Sequence, residues 1–504
     1  MSHVKQLSAQ RILNAADLTS HGHAEGRQLV LEILEAGMRA ADPYFAMKRV
    51  LRREGDLLIF GGDPFIPPGS PRGGDEIVDL TKTGRIFVFG SAKGVQRAAR
   101  AVEEIVGDRL TGGLVIDKKG GDLILERIEV AFGAHPVPDE GCAQGCRRII
   151  ELAADLRPDD LVITLQGNGT GSLMTLPVEG VSMADLQHII YRFQIERGGP
   201  TADLVAIRNH LDQMKGGQFT RRLKPARVIH VLCFYTAPYD LIMRGVRYRW
   251  LHTMPDETTH ADAIRSLKKW DLWGDAPASI RDYLTHAGSA QETLKVAEFE
   301  AMDSRIFCLF PVEMSVVPTA RRKAEELGFR THALYNNYTM MAEAAPTGKL
   351  VGVMAMHSEI DGTPFQPPCV LLGGGELLVT VGKERGMGGR DQEFAVSAAL
   401  QLANTRHVVI GAVDSDGTDG PGRQFVDGRD DIPVLTGGLV DSSTLRRAQE
   451  LGVDLKDALK RHDTSPALYR LDDGIVASMA MSLGDLHVAL ILDRGDTSIN
   501  TLGL

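Results

Sequence analysis

The sequence predicts an α/β protein of two lobes: a Rossmann-like parallel sheet with helices on both faces, then a second α/β domain, with a cleft between. Three observations carry this. Short apolar runs recur along the chain, RIFVF (85–89), LVITL (161–165), VIHVLC (228–233), IFCLF (306–310), VVIGAV (408–413) and HVALIL (487–492). Segments between them, such as 27–40 and 95–106, place apolar side chains at helical spacing. Fully apolar strands separated by amphipathic helices are the pattern of a helix-covered parallel sheet. Finally, the rhythm lapses between about 260 and 300, in DETTHADAIRSLKKWDLWGDAPASIRDYL, before a strand starts near 306. The expected domains are therefore 1–280 and 281–504, with the last residues packing back on the first lobe. GGDPFIPPGSPRGG (61–74) is expected to be a surface loop.

The 504 residues, 43% hydrophobic and 24% charged, describe an ordinary globular chain. A net charge of −10 disfavours nucleic acid or an anionic membrane as partner. No run is long and apolar enough to span a bilayer, and the opening MSHVKQLSAQ lacks an apolar signal core. A cytoplasmic location is the expectation. The five cysteines form no zinc or disulfide pattern, and Cys142 and Cys146, four apart on a helix face, read as packing residues.

Four stretches can carry chemistry, and each falls at a strand end, where open α/β sheets bind ligands. VFGSAKGVQ (88–96) is a strand, a glycine bend with Lys93, and a helix start. An anion resting on the opening amides of that helix would give the lysine a purpose; otherwise it is a solvated side chain. Gly167, Gly169 and Gly171 in QGNGTGSLMTLP (166–177) alternate where a strand ends, which suits either an anion nest or a tight turn. In GGGELLVTVGKERGMGGRDQEF (373–394) two glycine clusters flank a strand. Asp391 and Glu393 there suit the first turn of a helix, but Arg390 is unfavourable at that end unless it faces a polyanion or a carboxylate. VVIGAVDSDGTDGPG (408–422) crowds Asp414, Asp416 and Asp419 at a strand end, as a magnesium site or as turn residues. His135, and His210 with Lys215, are further polar candidates beside glycine or proline.

The chain resembles the glycerate 2-kinase family, whose members join a DUF4147 domain to a C-terminal MOFRL domain. The resemblance runs from about residue 27 to the end. It rests on GSAKG (90–94), HPVPDEG (135–141), the 161–171 strand and loop with PVEG (177–180), HLDQMKGG (210–217), GGE (374–376), GGRDQEF (388–394), DGTDGP (416–421) and GGLVDSSTL (437–445). It implies ATP-dependent phosphorylation of glycerate, at the 2-position, or of a related small hydroxy acid, with Mg²⁺. Lys93, Arg390 and Asp416 are then the expected catalytic residues. Gly167, Asn168, Gly169, Thr170, Gly171, Gly374, Gly375 and Glu376 would bind the nucleotide. His135, His210, Lys215 and Glu393 would bind the acid, and Asp416 and Asp419 the metal. The partners are a nucleotide and a small hydroxy acid, and a homodimer is compatible.

The chain departs from the family pattern at ligand-facing ends. Gly167-Asn168-Gly169-Thr170-Gly171 replaces a Ser-Gly-Gly-Gly-Ser loop, and Cys233-Phe234-Tyr235 replaces a Ser-Asp pair, for which Asp240 is the nearest substitute carboxylate. Pro311-Val312-Glu313 stands for Gly-Ser-Asn, and Asp496 to Asn500 for the closing Gly-Thr-Asn-Val-Asn. The alternatives are a divergent member with another reaction or a metabolite-binding role, and an NAD(P)-dependent hydroxypyruvate reductase. The second lacks a G-x-G-x-x-G followed by an acid about 20 residues on.

Overall fold

The computed structural model describes residues 10–135, 137–197, 199–420, 429–481 and 483–494. Pro136, Pro421 and the 496–500 segment lie outside them. The chain divides into two compact units, one built from Pro43–Pro311 and the other from Ser8–Asp42 with Val312–Leu504.

The first unit opens with a small antiparallel meander, β1 (Leu51–Glu54), β2 (Leu57–Phe60) and β3 (Glu76–Asp79). Its main sheet comprises β4 (Ile86–Ser91), β5 (Gly112–Lys118), β6 (Glu129–Gly133), β7 (Leu161–Gly167), β8 (Arg227–Tyr235) and β9 (Ser304–Phe310). The spatial order is β6-β5-β4-β7-β8-β9, and every pair is parallel. Alternate residues Phe87, Phe89, Leu114, Ile116, Val162 and Val228 pack under the helix Glu140–Ala153, against Ala143, Cys146 and Ile149. The other parity, Val88, Val115 and Ile163, is equally buried, so the strands read as unbroken apolar runs. The chain grows outward from β4 in one direction, then returns to β7 and grows in the other. That reversal leaves a crevice between the C-terminal ends of β4 and β7, where loops diverge and ligands bind. Strand β9 pairs with β8, which carries the first unit to residue 311 rather than to the expected 280.

The second unit holds β10 (Arg330–Glu343), β11 (Cys369–Leu378), β12 (Val408–Asp414), β13 (Gly437–Asp441), β14 (Gly474–Ile475) and β15 (Asp485–Ile491) in the order β10-β11-β15-β12-β13-β14. Only β10–β11 is parallel; the other four pairings are antiparallel. Burial on both faces produced the same apolar runs as in the first unit, so strand direction was not legible from them. The early helix Ala24–Ala40 belongs here, packed on Gly411 and Leu486 through Val30, Leu34 and Gly37. Its anchor is Arg27, fully buried, with Nε on Asp441 at 2.6 Å and Nη1 on Asp473 at 2.8 Å. Among the described residues no helix is long and apolar enough to cross a membrane, and all five cysteines are buried free thiols.

Arg27→Ala leaves two buried carboxylates without their counter-charge, a change that costs about 3–5 kcal/mol. A denaturant midpoint unchanged from wild type would remove this anchor role.

Candidate functional site

In the first unit the crevice between β4 and β7 gathers the candidates from both loops. The Lys93 amide donates to the Asn168 carbonyl at 2.8 Å, tying the two strand ends together. Gly169 has φ +91°, and a methyl group there would stand 2.8 Å from Lys93 Cγ and 3.5 Å from His135 Cδ2. Lys93, His135 and the 167–171 loop therefore share one spot, and only glycine fits at its centre. Thr170, which starts the short helix Thr170–Leu173, is hydrogen bonded through its hydroxyl to Ser91.

The anion expected on the helix after Lys93 is already part of the protein. Asp117, at the end of the neighbouring β5, accepts from the Gly94 amide at 2.7 Å and from the Lys118 amide at 2.7 Å. The Gln96 amide and side chain also bond it, and burial still raises its pKa. The opening amides of Val95–Val106 are thus spoken for, and the glycine loop is left as the cradle.

Arg208 joins that loop, although nothing but its place in RNHLDQMKGG marks it in the sequence. A methyl group on Gly171 would lie 3.6 Å from Arg208 Nη1. Its Nη2 donates to Gln194, while its buried Nε has no hydrogen-bond partner. Burial lowers its pKa to about 10, against the pull of Asp212. A desolvated guanidinium with an idle donor beside a glycine loop fits an anion. His252, buried against the Thr170 backbone, is held neutral by burial and by the neighbouring Lys215 and Arg208 charges.

Lys215 does not line this crevice as a ligand-facing cation. It is 1% exposed, and its ammonium donates to Asp212 Oδ2, Thr175 Oγ1 and the Met174 carbonyl at 2.7, 2.7 and 2.8 Å. All three hydrogens hold the chain after the glycine loop in place. His210 is likewise enclosed, and burial lowers its pKa to about 4. Asp240 does not replace the carboxylate missing after β8. It is surface-exposed and paired with Arg244 at 2.8 Å. Phe234 instead packs edge-on against Trp250 and Tyr248, at 5.5 and 6.2 Å between ring centres.

The second unit concentrates acid around one base. Arg390, first residue of the helix Arg390–Ala399, grips Asp485 through Nε and Nη2 at 2.6 and 2.8 Å and reaches Asp414 at 2.7 Å. Glu376, within β11, stands 3.7 Å away. The cation at this helix start is thus explained by aspartates of its own unit. Burial opposes its charge, but Asp414 and Asp485 outweigh that and keep it firmly protonated. Asp419 Oδ2 accepts from the Gln392 amide at 2.9 Å, capping the helix, while its Oδ1 has no partner. Gly389 must be glycine because a methyl group would fall 2.2 Å from that carboxylate.

Asp391 is fully buried with both oxygens unpartnered by hydrogen bonds, 3.1 Å from His487 Nε2. Burial pushes Asp391 well up, Asp485 to about 7 and Asp419 to about 6. His487 is lowered to about 3 by burial, and its Nδ1 meets the Tyr335 hydroxyl at 2.9 Å. Asp416, expected to ligate metal, turns Oδ1 to the Thr418 amide and hydroxyl, both at 2.8 Å. Gly374 and Gly375 are sheet residues of β11. Arg390, Glu393, Asp419 and His462 line a cavity of about 270 Å³, where Glu393 bonds His462 at 2.7 Å. The idle carboxylate oxygens of Asp391 and Asp419 are hard donors that suit a divalent cation such as Mg²⁺.

Two family profiles match the sequence: the domain of unknown function DUF4147 over residues 29–285, and MOFRL over residues 369–482. The glycerate 2-kinase of Pyrococcus horikoshii is 29% identical over 453 residues, covering 88% of this chain and 92% of that protein. The D-glycerate 2-kinase of Thermotoga maritima is 29% identical over 412 residues, covering 81% and 91%. The crystal structure of glycerate kinase from Thermotoga maritima superposes with a TM-score of 0.70 at 27% identity, covering 92% of this chain and 99% of that one.

Asp419 holds its proton to higher pH in the folded chain than in the unfolded one. Its contribution to stability therefore falls as pH rises from about 4 to about 7. Asp419→Asn can keep the capping bond and escapes that loss. It should gain on wild type, by on the order of 2 kcal/mol, between about pH 5 and about pH 8 in magnesium-free buffer. Denaturant midpoints of the two proteins measure the difference, and a difference independent of pH contradicts the assignment.

Proposed function

The chain belongs to the DUF4147 family, in the two-domain form with MOFRL that includes the glycerate 2-kinases, and from that premise we propose that it is an ATP-dependent kinase phosphorylating glycerate, at the 2-position, or a related small hydroxy acid. The observation that carries this reading is the β4–β7 crevice, where Lys93, His135 and Arg208 meet a loop with glycine at 167, 169 and 171. Phosphoryl transfer asks a protein for little covalent help. It needs charge neutralised on the moving group and the attacking and leaving oxygens held in line.

Arg208 supplies positive charge in a desolvated setting, where it is worth more than in water, and the half-buried Lys93 adds a second charge. The glycines let main-chain amides approach phosphate oxygens closely. His135 lies where an imidazole can orient the acceptor hydroxyl and take its proton. Within the second unit, the unpartnered oxygens of Asp391 and Asp419 are the donors that would hold a magnesium ion, which when bound supplies positive charge.

The aromatic end of β8 favours a second reading, in which the same crevice takes an anionic acceptor other than glycerate. ADP release that requires both ATP and glycerate supports the first reading. Release with a different hydroxy acid supports the second, and a change in NAD(P)H absorbance would replace both with an oxidoreductase. Lys93→Ala and Arg208→Ala should each lower kcat by about 10²–10³-fold in folded protein. Near-normal turnover in both variants would remove the crevice from the chemistry.

A further inference from the structure

Away from the crevice, three side chains of the first unit bring metal-ligand atoms together. His210 ends the helix Thr201–His210, His260 begins the helix His260–Lys269, and Glu292 lies on the segment between residues 291 and 296. One nitrogen from each imidazole and one oxygen of Glu292 lie within 4.8 Å of one another. The two rings are 4.6 Å apart between centres.

Hydrogen bonding fixes which atoms are bare. Thr258 Oγ1 donates its one hydrogen to Asp256 at 2.5 Å, so at its 3.2 Å contact with His210 Nε2 it accepts. His210 therefore carries its proton on Nε2, and Nδ1 is a lone pair, buried, without a partner, 3.8 Å from Glu292 Oε2. His260 Nδ1 donates to Glu292 Oε1 at 2.8 Å, which leaves Nε2 bare, buried and unpartnered. Glu292 Oε2 is unpartnered too. His210 Nδ1 thus turns a lone pair toward a carboxylate oxygen, and the two repel unless a cation sits between them; His260 would ligate that cation through Nδ1, the nitrogen facing the carboxylate, with its proton moved to Nε2.

We propose that His210, His260 and Glu292 bind a divalent transition-metal ion of the zinc type. Two imidazoles and one carboxylate are borderline donors, which suit zinc and its neighbours over magnesium or calcium. Asp256 and Thr258 form the outer partners that set the His210 tautomer, as metal-ligating histidines require. Lys295 stands 3.5 Å from Glu292 Oε2, but its ammonium donates to the Asp256 and Thr258 carbonyls and to Thr293 Oγ1. It closes one side of the site without filling it. The Glu292 side chain is 24% exposed and gives the ion a way in. The bound ion pins the end of the helix that carries Arg208 to the start of a second helix.

The test uses the full-length chain, stripped with a chelator and titrated with zinc alone. Zinc should bind at one ion per chain and raise the thermal midpoint, while magnesium leaves it unmoved. His260→Ala should lose that ion. Thr258→Val, which keeps every ligand atom, should weaken binding by about 10- to 100-fold. Should His260→Ala fail to fold, Glu292→Gln at the more open edge takes its place, and cobalt in wild type reports the ligands through its visible bands. Zinc uptake unaltered by these substitutions, or no uptake by wild type, overturns the proposal. These readouts are independent of turnover, so they stand or fall apart from the kinase reading.

Discussion

Helices that start at strand ends leave main-chain amides unpaired, and much of this protein's site architecture follows from how it satisfies them. At Val95–Val106 the acceptor is Asp117 from the adjacent strand. At Arg390–Ala399 it is Asp419 from the loop after β12. A carboxylate at such an end is favoured by the same partial charge that would attract a phosphate. Once the protein supplies its own anion, the helix start no longer competes for the ligand's. In the first unit that shifts the anion-binding burden to the glycine loop after β7, which Lys93 reaches through its own amide on Asn168.

The two units then differ in sign. The crevice of the first gathers Lys93 and Arg208 around the glycine loop. The second gathers Asp391, Asp414, Asp419 and Asp485 around Arg390. Burial pushes Asp485 to about 7 and Asp419 to about 6 although Arg390 pulls both down, and for Asp485 the neighbouring Glu376 and Asp419 add to the rise. Near neutral pH such a cluster either shares protons or takes a cation. Arg390 is accordingly best understood as the fixed charge that lets this acidic cluster exist.

Strand positions were legible because burial on both faces leaves no polar residue to break the runs at 86–91, 161–167 or 408–414. Their direction was not, since β12 and β15 show the same apolar composition antiparallel as β4 and β7 show parallel. The helix at 24–40 was visible as a helix, but its allegiance depends on Arg27 meeting Asp441 and Asp473, more than 400 residues away. Lys93, His135 and the glycine loop could be read because strand ends are marked locally by glycine. Asp117 and Asp485 could not be given roles that way, although each left a trace. An aspartate inside LVIDKK, or opening DLHVALI, is a charge in an apolar run, and such a charge stays buried only with a partner.

The end of β8 shows how a departure from family pattern acquires physical content. Loss of an acid there changes the reaction only if nothing else supplies one, and Asp240, the nearest substitute in sequence, is spent on Arg244 at the surface. Phe234 fills the interior side with its ring against Trp250. An aromatic ring in that place brings no charge to the end of β8. It also removes a carboxylate that would repel an acidic substrate. Under the proposed kinase reading, the proton of the acceptor hydroxyl would then fall to His135, the imidazole that the fold sets beside Gly169.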